Sequence, residues 1–507
     1  MSNSGQYKTV SSNIIMSDYP DPAVIRVGDV YYMASTTMHF MPGCVILRSY
    51  NLSDWEFASY VYDTLEETPG QTLADNRGVY GKGMWAASLN YHEGTFYVSF
   101  VANDTHKTYL YTAQEITGPW TKSNISGFYH DMSLYWEDGR VFVIHGNMNV
   151  YLTELESDLS GPKKDGINKL IIKDDPEKSA LGYEGSHFYK INGKYYNFMI
   201  HIPKGKMRTE ACFISDNLEG PYTGGDVLCS DLGGWNSGVA QGGIIQDCQG
   251  RWYGILFQDH GALGRIPVLV DVSFDEEGKP VFGKDGLAAA EVQVLDNKPG
   301  YKYAPLWSED FTNPAWQFNH IPDKSCFTLT PSCYTVWTNK TVVNITQAAN
   351  TLTQRTLGEK CSGSVMLDAS ALAEGDFAGL AALEGEYAFI AVTKRDGQFY
   401  LVTAEHKTKY TPWAMGVFDT DPPVIKEEIP LENPVVNLKL EFDLTKEVQK
   451  VWLKYKKDGE FKTLGEPAGL RYTLDQFVGV RFALFCYSTK QAGGKAVFSD
   501  YSAPHCE

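Results

Sequence analysis

The amino-acid sequence predicts an all-β protein: a five-bladed β-propeller over residues 1–300, then a β-sandwich over residues 301–507. Three observations predict it. Short alternating runs bounded by Gly, Asn, Asp and Pro fill the chain, and long helix-period segments are scarce. One glycine-centred hairpin pattern recurs five times in the first three hundred residues. After a connector, alternating strands resume and run to the C-terminus.

The blades come first. A polar turn with glycine precedes an aromatic-rich strand in "RVGDVYYMAS" around Gly28, "YHEGTFYVSF" around Gly94 and "WEDGRVFVIHG" around Gly139. The pattern returns in "KINGKYYNFMI" around Gly193 and "CQGRWYGILFQ" around Gly250. Each glycine stands where a tight hairpin turn needs positive φ. Between them lie "NLSDWE", "ITGPW", "DLSGP" and "NLEGPY", which read as the outer-strand turns of the same unit. A small antiparallel sheet repeated every roughly 40–60 residues is a propeller blade. The competing reading is a two-sheet sandwich with coincidental hairpins. The segment "DGLAAAEVQVLDNKPGYKYAP" reads as a connector. Beyond it, "SVMLDAS", "YAFIAVTK", "VVNLKLEFDL" and "VGVRFALFCYS" alternate as sandwich strands do.

With 507 residues, 43% of them apolar, the chain can build substantial cores. A net charge of -18 argues against nucleic acid or an anionic membrane as partner. No apolar run has transmembrane length, and the N-terminus lacks a signal-peptide pattern. Nine cysteines without a C-x-x-C pair read as buried or free thiols. These features together point to a cytoplasmic protein.

In a propeller the first strand of each blade lines the axis, so its first residue points into the central funnel. Counting back seven to nine positions from each hairpin glycine selects Asp21, Trp85, Asp131, Glu184 and the Ala240–Gln241–Gly242 segment. Asp21 is flanked by Pro20 and Pro22, which restrict the backbone around it. Three carboxylates and an indole thus converge from separate blades. Two inward-facing carboxylates are the minimal equipment of glycoside hydrolysis: one protonates the leaving oxygen, the other stays ionised and activates water. A third raises the acid's pKa by like-charge repulsion, and an indole offers a wall on which sugar rings stack. Taken singly, each has a plainer reading as a strand cap or core residue.

These residues sit in strings that resemble glycoside hydrolase family 43. "YPDPAVIRVGDVYYMASTTMHFMPG" resembles its opening, and "HDMSLYWEDGRVFVIHG" and "YEGSHFYKINGKYYNF" resemble its second and third acidic motifs. "QGGIIQDCQGRWYGILFQDHGALGRIPVL" resembles its fifth-blade segment, and "SEDFTNPAWQFNHIPD" and later strings resemble the C-terminal domain of its two-domain branches. The resemblance implies hydrolysis with inversion, with Asp21 as general base, Glu184 as general acid and Asp131 as the residue that orients the acid and modulates its pKa. It implies substrate contacts at Trp85 and Arg265, and a C-terminal concanavalin A-like jelly roll that packs on the propeller and walls the site. Met38 and His39, in the loop where the xylosidase branch carries an aromatic cluster, are expected to contact substrate, as is Trp235. Phe477 is a candidate lining residue. Many family members carry a histidine before Q-G-G associated with a central calcium or other metal ion; this chain has Ala240, with His260 nearby. Metal ligands therefore stay unassigned, the chemistry requires no cofactor, and a Ca2+ ion in the propeller channel is the one cofactor left open.

The expected activity is exo-acting release of terminal or branching pentose, first of all α-L-arabinofuranose, from arabinoxylo-oligosaccharides, because "STTMHFMPG" is closer to the arabinofuranosidase subgroup. The alternative is a β-1,4-xylosidase, or a bifunctional enzyme, on xylo-oligosaccharides. A five-bladed retaining fructosidase would need N-D-P-N-G and R-D-P strings, which this sequence lacks. A non-catalytic sugar-binding propeller is the remaining class.

Overall fold

The structure, a computed structural model, describes residues 6–407, 420–474 and 476–502. Its propeller consists of five four-stranded antiparallel meanders, each in sequence order. The first blade runs Ala23–Val27, Val30–Ser35, Gly43–Ser49 and Glu56–Tyr62. The second begins at Ser88–His92, the third at Ser133–Glu137, the fourth at Ser179–Ile191 and the fifth at Ala240–Gln246. The five anticipated glycines occupy the first hairpin turn of each blade, all with positive φ: Gly28 +61°, Gly94 +81°, Gly139 +70°, Gly193 +84° and Gly250 +93°. In three of these turns the preceding residue (Glu93, Asp138 or Asn192) is also left-handed. That double-positive turn matches the twist of the flanking strands.

One expectation changes. The connector contains a strand, Glu291–Asp296, which pairs antiparallel with Gln6–Ser11, with Tyr7 opposite Leu295. The reason lies in its alternation: Val292 and Val294 are buried among Tyr31, Met33 and Tyr253 of the first and fifth blades. The two ends of the propeller segment are thereby zipped together.

The C-terminal domain is two packed sheets of seven and eight strands. Their apolar faces bury Val365, Leu380, Leu438, Leu440, Phe482 and Leu484, and the same core takes in Ala262, Leu263 and Ile266 from the propeller. The domains therefore share a core. Around it is a polar seam. Asp18 accepts from the Arg265 backbone N–H at 2.8 Å and the Gly479 N–H at 2.9 Å, while Arg355 Nε donates to the Asp18 carbonyl at 2.8 Å. All are buried, so each bond satisfies a group that water cannot reach. Eight of the nine cysteines fall among the described residues and all eight are free thiols; Cys506 lies outside them.

Candidate active site

Asp21 leads into the first inner strand. Thr36 N–H and Ser35 Oγ–H both donate to the Pro20 carbonyl, at 3.2 and 2.7 Å, which pins the turn before it. Asp131 leads into the third blade, and its carbonyl accepts from Ser186 N–H of the fourth blade at 3.2 Å. Asp21 and Asp131 both have left-handed φ, +52° and +46°. Such backbone costs on the order of 1–3 kcal/mol per residue and persists where the surroundings over-determine it. Glu184 is carried differently. It lies inside Ser179–Ile191, and the register against Lys194–Pro203 slips on both sides of it. Bulges of this kind re-aim a side chain out of the regular pleat.

These three carboxylates line one cavity of about 480 Å3, together with Trp85, Arg265 and Phe477. The sandwich supplies Phe477 and Leu474, so one wall comes from the second domain. Arg265 Nη1 donates to Asp21 Oδ1 at 2.9 Å, and Nη2 donates to the Phe477 carbonyl at 3.2 Å. Its guanidinium carbon lies 4.3 Å from the Phe477 ring centre. Burial works against the Arg265 charge, but Asp21 and the nearby Asp18 outweigh it and hold the guanidinium above its ordinary value. The Trp85 ring lies 5.8 Å from Phe477 and 5.9 Å from His130, and its indole N–H donates to the Gly81 carbonyl.

The acid side holds a residue that the sequence reading passed over. His130 Nε2 is 3.0 Å from Glu184 Oε2, and its Nδ1 is 3.8 Å from Asp131 Oδ1. Asn147 Nδ2 donates to the same Glu184 Oε2. Burial alone would discharge His130, but Asp131 and the hydrogen-bonded Glu184 push it up to about 9. Burial raises Asp131 to about 7. Glu184 and Asp21 push it the same way, while His130 and Arg265 pull it down. Asp131 Oδ1 is buried without a hydrogen-bond partner among the described residues. A buried carboxyl in this setting holds a proton far more readily than one in water.

The other expected contacts are placed elsewhere. Met38 is buried behind the cavity wall, packed with Phe40 and Val478 against the back of Trp85 and Phe477. His39 is fully buried, its Nε2 3.0 Å from Asn319 Oδ1 and its ring 4.8 Å from His320 of the sandwich. Burial, with Arg481 nearby, pushes it down to about 3, so it is neutral filling of the domain seam. The left-handed φ of +52° at Met38 accompanies this inward course of the loop. Trp235 is half-buried outside the cavity lining and stacks on His260 at 4.4 Å. Gln241 does line the cavity. Besides His130 and Asn147, the cavity wall includes Asn103 and Arg208, which were also missed; Arg208 Nη2 donates to Asp259 Oδ2 at 2.8 Å. Of these, His130 alone was signposted, as the neighbour of Asp131 in "HDMS".

At Ala240 the described residues show no set of oxygen ligands converging on a calcium ion. The Ala240 side chain offers no ligand; His260 Nε2 lies 3.1 Å from Gln258 Oε1, and its Nδ1 is buried without a hydrogen-bond partner among the described residues. Among the described residues, the one group of three His, Cys, Asp or Glu side chains with converging ligand atoms is His130, Asp131 and Glu184, within 4.8 Å of one another. There His130 Nε2 meets Glu184 Oε2, and the two carboxylates are the only oxygen donors that the group offers a hard cation.

Known proteins share this two-domain fold. Residues 11–280 match the family model described as glycosyl hydrolases family 43, and residues 307–502 match the beta xylosidase C-terminal concanavalin A-like domain. A beta-xylosidase of Formosa agariphila is 28% identical over 360 residues, covering 64% of this chain and 60% of that protein. The non-reducing end alpha-L-arabinofuranosidase BoGH43B of Bacteroides ovatus is 25% identical over 423 residues, 77% of each chain. Among solved structures, a bifunctional GH43-CE protein of Bacteroides eggerthii superposes with a TM-score of 0.89 at 38% identity, covering 99% of this chain and 64% of that one. The chain thus spans less than two thirds of the F. agariphila and B. eggerthii proteins. With a catalytic-domain match over more than half its length and a five-bladed propeller carrying three converging carboxylates, this chain belongs to glycosyl hydrolase family 43.

Proposed function

We propose that the chain is an exo-acting, inverting glycoside hydrolase that releases α-L-arabinofuranose from arabinoxylo-oligosaccharides. The observation that carries this reading is the convergence of Asp21, Asp131 and Glu184 on a single cavity with one wall from the sandwich. A pocket walled in this way suits removal of one terminal or branching sugar, whereas an open groove suits cutting within a chain.

In the proposed cycle the sugar enters against Trp85 and Phe477. Glu184, protonated, gives its proton to the glycosidic oxygen as the bond to the anomeric carbon breaks. Asp21, ionised beside Arg265, takes a proton from the water that attacks the opposite face. One carboxyl ends protonated and the other ionised, so a proton exchange with solvent resets the pair. When Asp131 is ionised, its negative charge lies close to Glu184 and disfavours early loss of the acid's proton. Arg265 anchors the base and offers its cation to sugar hydroxyls near Asp21. No step is routed through a metal.

The second reading is a β-1,4-xylosidase, supported by the beta-xylosidase name of one relative, whereas the arabinofuranosidase name of another supports the first. The deciding experiment is a panel of nitrophenyl pentosides and arabinoxylo-oligosaccharides with the first-formed anomer followed by proton NMR. Arabinofuranose released with inverted configuration is the expected result. Xylose as the dominant product favours the second reading, retention removes the inverting mechanism, and ligand binding without turnover removes the enzyme reading.

A further inference from the structure

We propose that His130 is a positioning residue for Glu184: by donating to Oε2 alongside Asn147, it leaves Oε1 as the oxygen that carries and delivers the catalytic proton. The proposal rests on Glu184 being the general acid. A carboxyl group has one proton to place on two oxygens. An oxygen already accepting two N–H bonds uses its lone pairs on them, so the proton is driven to the other. Oε2 is that occupied oxygen, met by His130 Nε2 at 3.0 Å and by Asn147 Nδ2.

His130 is itself held firmly. Its ring packs 5.9 Å from Trp85, its Nδ1 faces Asp131 Oδ1 at 3.8 Å, and its side chain is about one-fifth exposed (22%). The charged and titratable groups around it are Asp131 and Glu184, with His145 behind and Asp21 and Arg265 on the far side of Asp131. The two carboxylates keep the imidazole charged through the neutral range. A cation beside the acid favours the acid's ionised form, while Asp131 favours the protonated one. His130 is thus also expected to set the alkaline limit of activity.

The test compares the full-length wild type with His130→Phe, His130→Gln and Glu184→Gln. Each is assayed on a 2,4-dinitrophenyl arabinofuranoside, which needs little acid assistance, and on an arabinoxylo-oligosaccharide, which needs much. Glu184→Gln tests the underlying reading. Its loss must fall mainly on the oligosaccharide; equal loss on both substrates removes Glu184 as acid, and this proposal with it. With that reading intact, His130→Phe is expected to lose on the order of a hundredfold in kcat on the oligosaccharide, much less on the dinitrophenyl substrate, with KM little changed. His130→Gln, which keeps an N–H donor without the charge, is expected to recover most of that loss while its alkaline limb still moves to higher pH. Equal losses of His130→Phe on both substrates, no loss at all, or an unmoved alkaline limb in His130→Gln would overturn the proposal. Should thermal melts show His130→Phe unfolded, the pH limb of His130→Gln decides alone.

Discussion

Arg265 and Asp21 form a buried ion pair, Nη1 to Oδ1 at 2.9 Å, with side-chain exposures of only 2% and 7%. The same guanidinium holds the Phe477 carbonyl. One side chain therefore ties the carboxylate of the first blade to the sandwich residue that walls the cavity, and the predictions start from that link.

Asp21→Ala is expected to lower turnover by about a thousandfold or more, the scale of a lost general base. It also leaves a buried guanidinium without its carboxylate, which costs about 3–5 kcal/mol of stability. Asp21→Asn keeps an acceptor for Arg265 and should melt closer to the wild type while being similarly inactive. Kinetics and thermal melts on the pair separate the two effects; near-normal turnover in Asp21→Ala would remove the residue from the mechanism.

Arg265→Met takes the cation away and leaves a buried carboxylate. A carboxylate without its cation takes up a proton at higher pH, so the acid limb of the kcat/KM profile should move toward neutrality. Arg265→Lys retains a charge but has no planar fork to reach both Asp21 and the Phe477 carbonyl. It should keep the limb nearer its place and still lose activity. An unmoved acid limb in Arg265→Met would show that the ion pair does not govern the base.

Phe477 has a left-handed φ of +59° and presents its ring to the cavity beside Trp85. Phe477→Ala should raise KM on the order of tenfold with little change in kcat, because a stacking wall binds ground state and transition state alike. Phe477→Gly loses the same wall but not at the cost of a Cβ in a left-handed backbone, so it should melt no lower than the alanine variant. A lower melting point for glycine would mean that the loop conformation is imposed by something other than the strain described here.

Far from the cavity, Glu154 accepts from Arg140 Nη2 at 2.6 Å and from Lys163 Nζ at 2.7 Å. The Arg140 bond first, then Lys163 and a backbone N–H against the opposing effect of burial, hold its carboxyl down at about 2. A depressed carboxylate contributes stability above its unfolded value of about 4.5, and that contribution drains away as pH falls through about 2. The melting-point difference between wild type and Glu154→Gln should therefore be full at pH 6 and shrink steadily below pH 4.5. A difference independent of pH would place the effect in packing instead.

The propeller and the three axial carboxylates were legible because both rest on local rules. A tight hairpin demands a glycine, a strand alternates with period two, and the residues leading into an inner strand lie by the axis, as Asp21 and Asp131 do just before Ala23 and Ser133. Glu184 shows the limit of that reasoning, since its aim depends on register slips on either side of it. Met38 and His39 were misplaced because the course of their loop is decided across the chain, by Asn319, His320 and Val478 of the sandwich. Trp235 was drawn away by a ring partner, His260. His130 lay in plain sight beside Asp131, but a histidine becomes a support for the acid only when a glutamate from the next blade arrives 3.0 Å away. The connector strand was missed because its partner lies at the opposite end of the propeller segment.

Asp18 has a wider consequence. Its carboxylate takes a backbone N–H from each domain, beside Arg265 on one side and Phe477 on the other. A chimaera that paired this propeller with a foreign lectin-like module would need to reproduce that bracket, not merely cover an apolar face. Engineers seeking new selectivity should transplant the segment that carries Phe477 and Gly479 together with its docking aspartate, treating the two modules as one inherited unit.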